Sequence, residues 1–403
     1  MRQAAKAVSA LTVHYSLIQF FFWFSYGATV SFAGVYLLSN GATNTVCGIV
    51  SAVASALSVF IQPWVASYAD RENSLSVKTL VLILDGLMLS CFAVLAFLFG
   101  KGWLVNSLIL GFAILGAHVL LPIVNSLATE TINAGKKLNF SLARGIGSIG
   151  YAVMSFSLGK IAAKLGAQAL PRVTAATLLA FLVLTAAFPF EKRKKTNDMA
   201  GLSGENAPVS ASSFFGRYRT FSFALIGCSL VFASHTYINS FVYQIAVGKG
   251  GTSENMGVAM GLAGIIEILP MLVFALLLKK KSAGFWMCFS SIFFALKCLG
   301  TLLAPTIPAF YAVQLFQPLG WGLMTVASVY YVNSIMEDRD RIKGQAYMTM
   351  TLSIGTIIGT LTGGVLIDHF GVNGMLAVSV AAGVLGMAVL MITIGRDERS
   401  RRK

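Results

Sequence analysis

Four charged side chains stand in stretches that offer them little water. Arg144 lies in NFSLARGIGSIGYA, residues 139–152; Asp85 lies in the apolar run 79–99; Glu267 lies in GIIEILP and Lys297 in ALKCLG. At membrane depth such a charge costs at least about 2.5–3.5 kcal/mol, so each needs a partner or a water-filled cavity. A guanidinium presents a planar fork of donors that can grip hydroxyls or another oxygen-rich group of a solute, which a lysine does less well. A structural salt bridge, or snorkelling to the interface close to Asn139, accounts for the same arginine. For Glu267 the choices are a proton carrier, a solute acceptor or the partner of a buried cation. Asp85 and Lys297 divide between proton coupling and neutralising a neighbour.

Uncharged polar residues extend this set. Asn125 falls at a depth similar to Arg144 if the two flanking spans form an antiparallel hairpin, and Tyr151 follows Arg144 by two helical turns and shares its face. Its ring can stack on a sugar or base, or simply pack. His235, Tyr237 and Asn239 cluster in SHTYIN, and Gln314 and Gln317 in VQLFQPLGWG. These residues supply hydrogen bonds and stacking. Among them there is no nucleophile–base pair: the four histidines, His14, His118, His235 and His369, are far apart, and His118 reads as an interior histidine. The five cysteines, Cys47, Cys91, Cys228, Cys288 and Cys298, fall in apolar runs without metal-ligand spacing, so neither a metal nor a disulfide is expected. A nucleotide-binding loop is missing too, and no cofactor is expected. The chain is therefore not read as an enzyme.

The elements that carry these residues follow from composition. Of 403 residues 56% are hydrophobic and 11% charged, about half the charge of an ordinary soluble domain. Apolar runs long enough to cross a bilayer as helices recur twelve times, at 13–38, 43–68, 79–99, 104–128, 140–165, 168–190, 220–246, 253–278, 283–303, 306–334, 345–367 and 372–395. The first is too long and too continuous for a cleaved signal peptide. The fold class is thus all-α integral membrane, with twelve transmembrane helices in two pseudo-symmetric six-helix bundles. Residues 1–190 form the first bundle, the polar stretch 191–219 a cytoplasmic linker, and 220–403 the second bundle. A 6+6 arrangement places a solute site near the midplane between bundles, where Arg144 and Glu267 can face one cavity. Glycines at 355, 359 and 363 give one helix a smooth face for close approach.

Charge placement sets the orientation. Of the 30 Lys and Arg residues, Arg144 and Lys297 sit inside spans and only Lys101, Lys160, Lys164, Arg172 and Lys249 fall in outer segments. All others lie on the side that holds both termini, which the positive-inside rule makes cytoplasmic. The net charge of +15 is scattered over alternating loops rather than gathered on one face, so no nucleic-acid partner is expected. The expected location is the plasma (inner) membrane, the expected partners are the lipid bilayer and a small-molecule substrate, and the protein is expected to be a monomer.

The chain resembles the major facilitator superfamily, and within it the oligosaccharide:proton symporters of the lactose permease type, with nucleoside:proton symporters as relatives. FIQPWVASYADRE is similar to the superfamily's loop between helices two and three, with Asp70 and Arg71 matching its charged pair and Ala66 and Asn73 replacing its glycines. NFSLARGIGSIGYA resembles the permease segment with the sugar-gripping arginine and stacking aromatic. The resemblance gives those roles to Arg144 and Tyr151, aligns Glu267 with an essential glutamate, Lys297 with an arginine and Tyr237 with a family tyrosine. Two departures matter: Asn125 or Ser126 stands where the permease has a helix-four glutamate, and Gln317 and Gly320 replace the relay histidine and glutamate. Proton coupling must then use Glu267, Asp85 or Lys297, or be absent. The charge of Arg144 must be met by Glu267, by water or by the solute.

The expectation is a secondary active transporter moving a small hydroxyl-rich solute by alternating access. Arg144, Asn125, Tyr151, His235, Tyr237, Asn239, Glu267 and Gln317 are its binding residues, and Asp70 and Arg71 its conformational motif. Sugar or glycoside is the leading substrate and nucleoside the second, with protons as the possible coupling ion. A uniporter, a drug efflux carrier and, from a different class, a membrane receptor or integral-membrane enzyme are the alternatives.

Overall fold

The computed structural model describes residues 9–69, 74–190, 211–337 and 340–400. Every regular element among them is helical. The first half contains α1 (Ala10–Ser31), α2 (Ala33–Ser39), α3 (Asn44–Ala69), α4 (Val77–Leu98), α5 (Trp103–Asn133), α6 (Phe140–Leu165) and α7 (Ala169–Ala187). The second contains α8 (Ala211–Arg217), α9 (Arg219–Ser240), α10 (Val242–Gly248), α11 (Ser253–Ile266), α12 (Ile268–Leu278), α13 (Ala283–Leu303), α14 (Ile307–Val313), α15 (Leu323–Ile335) and α16 (Arg341–Ser400).

Among the described residues eight helices are long and apolar enough to cross a membrane, or nine when α1 and α2, bent by 43°, count as one span. α16 contributes two spans, because Gly371 breaks it with φ 70°. Joining α11 to α12, and α14 to α15, completes the twelve. Large apolar side chains cover the outside, among them Phe60, Phe97 and Leu108, exposed by 76%, 78% and 68%. Such a surface suits hydrocarbon and not water.

Several spans read as continuous in the sequence are broken. The first is interrupted at Phe32 and the seventh at Phe241, and in both a helix of 22 residues is followed by one of 7. A threonine hydroxyl bonds back to a carbonyl four residues earlier in each long helix, Thr29 to Ser25 and Thr236 to Phe232, which bends a helix at little cost. After each short helix a glycine turns left-handed, Gly41 at φ 85° and Gly250 at φ 78°, and closes the helix end as only glycine does readily. The tenth span is interrupted by a 3₁₀ turn, Gln314–Phe316, and a π turn, Pro318–Gly322. Pro318 supplies no N–H to an α ladder, and the Gly322 N–H reaches the Gln317 carbonyl at 3.2 Å.

Contacts gather the chain into two units, one of residues 1–42 and 53–196 and the other of 43–52 and 197–403. The tip of α3 thus belongs to the second unit, where Asp368 accepts hydrogen bonds from the Asn44 N–H at 3.2 Å and the Thr45 N–H at 2.7 Å. In the first unit α6 lies directly on α1: a Cβ at Gly150 would stand 2.3 Å from the Phe20 carbonyl oxygen. In the second, the 355, 359 and 363 glycines let α16 approach α9 at Phe232, Thr236 and Phe241. Their smooth face is a packing seam.

Candidate functional site

Each unit contains its own polar cluster. In the first, α1 presents Tyr15, Gln19 and Trp23 at intervals of four residues, one per turn on one face. Gln19 is fully buried. Its Nε2 donates to the Tyr15 hydroxyl at 2.6 Å and lies 3.5 Å from Asn125 Oδ1, while its Oε1 accepts from Trp23 Nε1 at 3.1 Å. Tyr15 passes its own proton to the Val124 carbonyl at 2.8 Å. The chain of bonds ties α1 to α5 and fixes the indole of Trp23.

Arg144 lies over that indole. Its Cζ is 4.0 Å from the ring centroid, and Nη1 donates to Ser148 Oγ one turn along α6 at 3.2 Å. The guanidinium is thereby stacked on an aromatic face that meets part of its charge. Gly147 makes this possible, since a Cβ there would come within 2.4 Å of the Trp23 ring. Tyr151 sits 3.2 Å from the Ser31 hydroxyl, and its ring packs beside Gly27. Tyr26 is 3.3 Å from His118 Nδ1. A small cavity beside α5 is lined by Gln62, Pro63, Pro122, Ile123 and Ser126.

The second cluster is built where spans are broken. Glu267 occupies the junction between α11 and α12, and Gln317 precedes the π turn. Gly322 lets these two irregular segments touch, because a Cβ there would be 2.6 Å from the Glu267 carbonyl oxygen. Lys297, from α13, donates to Gln317 Oε1 at 2.6 Å, and Gln317 Nε2 donates to Glu267 Oε2 at 3.4 Å. A neutral amide therefore bridges a buried ammonium and a carboxylate, using both ends of its dipole. Beside it, His235 stacks on Trp321, centroids 4.4 Å apart and planes at 15°, with the edge of Phe294 at 5.5 Å. Asn239, exposed, reaches His235 Nε2 at 2.7 Å; His235 Nδ1 is buried without a hydrogen-bond partner among the described residues.

Family membership follows from the same span of chain. The model of the MFS_1 like family matches residues 12–377. The chain belongs to that family. It is a secondary transporter of the major facilitator type and a multi-pass membrane protein. Among curated proteins no sequence match is found. Two solved structures of the nucleoside transporter NupG, one of them a mutant, superpose with TM-scores of 0.80 and 0.78 at 14% identity, covering 95% and 96% of this chain and 99% of theirs. The peptide transporter POT in complex with sulfate gives 0.74 at 13% identity, with 98% of this chain and 96% of that one covered. At such identities the likeness is one of fold.

The structure brings Arg144 and Asn125 into one network through Trp23 and Gln19, with Tyr151 further along α6. It brings Glu267, Gln317 and Lys297 into another, and His235 and Asn239 into a third pairing with Trp321. Tyr237, buried, bonds to Thr362 at 2.6 Å and holds α9 to α16. Asp85 is fully buried on α4, with no hydrogen-bond partner for either oxygen among the described residues. Asp70 and Arg71 lie outside the described residues, as does most of the expected linker. Sequence reasoning passed over Gln19, Trp23, Tyr26 and Trp321. The first two were legible as polar and indole groups one turn apart in a span otherwise rich in phenylalanine; Trp321 stood inside a stretch inspected only for its amides.

Proposed function

We propose that this transporter carries a neutral, ring-bearing and hydroxyl-rich solute by alternating access, a nucleoside in first place. The His235–Trp321 stack beside hydrogen-bonding amides supports this reading most: an indole whose geometry is already fixed by stacking, next to Asn239 and the Gln317 bridge, suits a planar base with polar edges. In the first unit, Arg144, Asn125 and Tyr151, with Trp23 and Gln19, supply donors for ribose-like hydroxyls and a second aromatic face. The likeness in fold to a nucleoside transporter agrees with it. Both termini are cytoplasmic on this reading, and the membrane is the plasma (inner) membrane.

A sugar or glycoside is the second reading, favoured by the spacing of Arg144 and Tyr151 that resembles the sugar symporters. In both, Glu267 and Lys297, bridged by Gln317, shape the field of the site. Uptake of labelled nucleosides and sugars into proteoliposomes, with and without an imposed pH gradient, tests the proposal. Saturable nucleoside uptake, weakened in Arg144→Lys and Trp321→Ala, is expected. Saturable sugar uptake without nucleoside uptake would transfer the assignment to the second reading, and unchanged uptake in both variants would remove these residues from the site.

A further inference from the structure

One ionisable group belongs to neither cluster. Asp85 occupies the buried stripe of α4 formed by Val77, Val81, Asp85, Met88, Phe92 and Leu95, and is itself inaccessible to solvent. Neither carboxyl oxygen has a hydrogen-bond partner among the described residues. Every other acid whose contacts have been described above is met: Glu267 by Gln317, Asp368 by two backbone N–H groups.

The neighbours can be placed by register. α4 packs mainly on α5 and α7. Met88 abuts Gly116, whose Cβ would stand 3.0 Å from Met88 Cγ; three residues earlier on α4, Asp85 therefore stands level with Val119 and Leu120, both buried. At the start of α4, Lys78 Nζ donates to the carbonyls of Ala186 and Phe188. Seven residues on, or about 10 Å, Asp85 reaches the level of Leu178 and Phe181, which are buried too. The acid thus lies in an apolar seam.

Among the described residues, the charged and titratable groups on the surrounding elements are all engaged or distant. On α4 they are Lys78, tied to the end of α7, and Cys91, two turns away. On α5, His118 meets Tyr26 and Glu130 lies about 15 Å further along the axis. On α7, Arg172 is in the first turn, at the end opposite Lys78; on α2, Tyr36 donates to Leu95, ten residues beyond Asp85. A carboxylate in such a seam would have no counter-charge and no donor, so the neutral acid is the form that fits it. Thr185 on α7, a turn from Phe181 toward Lys78, has a buried hydroxyl that likewise has no partner among the described residues. One unmet polar group, the Thr185 hydroxyl, thus lies between Asp85 and the end of α4 nearest Lys78.

The geometry points to Asp85 as the coupling-proton site of this transporter, a carboxyl loaded and unloaded through the α4–α7 seam and separate from the solute clusters. The assignment rests on the transport reading above and names the ion site it left open. The proton binds to a carboxylate oxygen when the seam is open to water and is retained when the seam closes on it. It is released when the cycle reopens the seam to the other bulk phase.

Full-length protein in liposomes tests this with two transport assays and one spectrum. Asp85→Asn, which mimics the neutral acid, is expected to retain solute counterflow within about twofold and to lose accumulation driven by a pH gradient, together with solute-induced proton uptake. Accumulation by Asp85→Asn equal to that of the unaltered protein would overturn the proposal. Absence of counterflow for every nucleoside and sugar in the unaltered protein would strike the substrate reading instead. The infrared carbonyl band of a protonated carboxylic acid, assigned by its shift in Asp85→Glu, is read without any solute and without the asparagine variant. It is expected at neutral pH and is expected to fade as pH rises; an ionised Asp85 at neutral pH, or a band indifferent to pH and deuterium, would refute a proton site.

Discussion

Replacing Gln317 by leucine tests the bridge at the centre of the second cluster. The side chains have similar volume, so the change removes hydrogen bonds without opening a cavity. Lys297, 3% exposed, loses the acceptor that stands 2.6 Å from its ammonium; a hydrogen bond to a charged group contributes about 1.5–3 kcal/mol. Glu267 loses a donor at 3.4 Å, a long bond that adds no more than about 1 kcal/mol. Gln317→Leu is therefore expected to destabilise the protein by about 2–4 kcal/mol. Lys297→Met removes the ammonium and leaves the Gln317 carbonyl unmet, costing about 1–3 kcal/mol. In the double variant both partners are apolar and no ammonium is left buried, so more than half of the summed loss should return. Equilibrium unfolding in mixed detergent micelles, followed by tryptophan fluorescence across the four proteins of the cycle, measures this coupling. Strict additivity would show that Gln317 does not hold Lys297, and the bridge would have to be abandoned.

Trp23→Ala should weaken solute affinity by about 2- to 30-fold, the range of a cation–π contact of roughly 0.5–2 kcal/mol, while Trp23→Phe retains most of it; equilibrium binding of the labelled solute separates the two. Gly355→Ala would drive a Cβ to within 2.7 Å of Phe232 Cβ and is expected to cost about 1–3 kcal/mol. Gly86→Ala, where nothing lies within 4 Å, should instead stabilise α4 by about 0.5–1 kcal/mol; thermal unfolding midpoints check both signs. Asp368→Ala removes the acceptors of the Asn44 and Thr45 N–H groups and should lower stability by about 1 kcal/mol, with Asp368→Asn losing less.

The spans were legible because a hydrocarbon core imposes one length and one polarity on each of them. Their breaks at Phe32 and Phe241 were not, since neither position carries glycine or proline. They follow from hydroxyl back-bonds and from packing across helices, which a linear reading does not contain. The same distinction runs through the sites. Arg144 was conspicuous as a cation in an apolar stretch, but the group that meets its face is Trp23, more than a hundred residues away and unremarkable in a span full of aromatics. Gln317 was read as the loss of a proton-carrying residue. Its position between Lys297 and Glu267 shows what the amide supplies instead: an acceptor and a donor at once, in one uncharged group that never titrates.

The internal repeat bears on Asp85. Phe32 and Phe241, Gly41 and Gly250, and the helix starts Asn44 and Ser253 are separated by one constant offset. The same offset sets Tyr26 against His235, so the two units carry a hydrogen-bonding ring at one equivalent position, six residues before the break. The third spans begin at Val77 and Ala283. Aligned on those starts, Asp85 falls against Ser291, fully buried, whose hydroxyl donates to the Cys288 carbonyl at 2.7 Å. The fold thus accepts a small hydroxyl at this position and satisfies it within the helix's own backbone. A buried carboxyl without a partner lowers stability wherever it is placed, and in the unit that has one it stands apart from Arg144, the cation that could have neutralised it but lies on Trp23. Its presence is accounted for by what a carboxyl can do and a serine cannot, which is to gain and lose a proton.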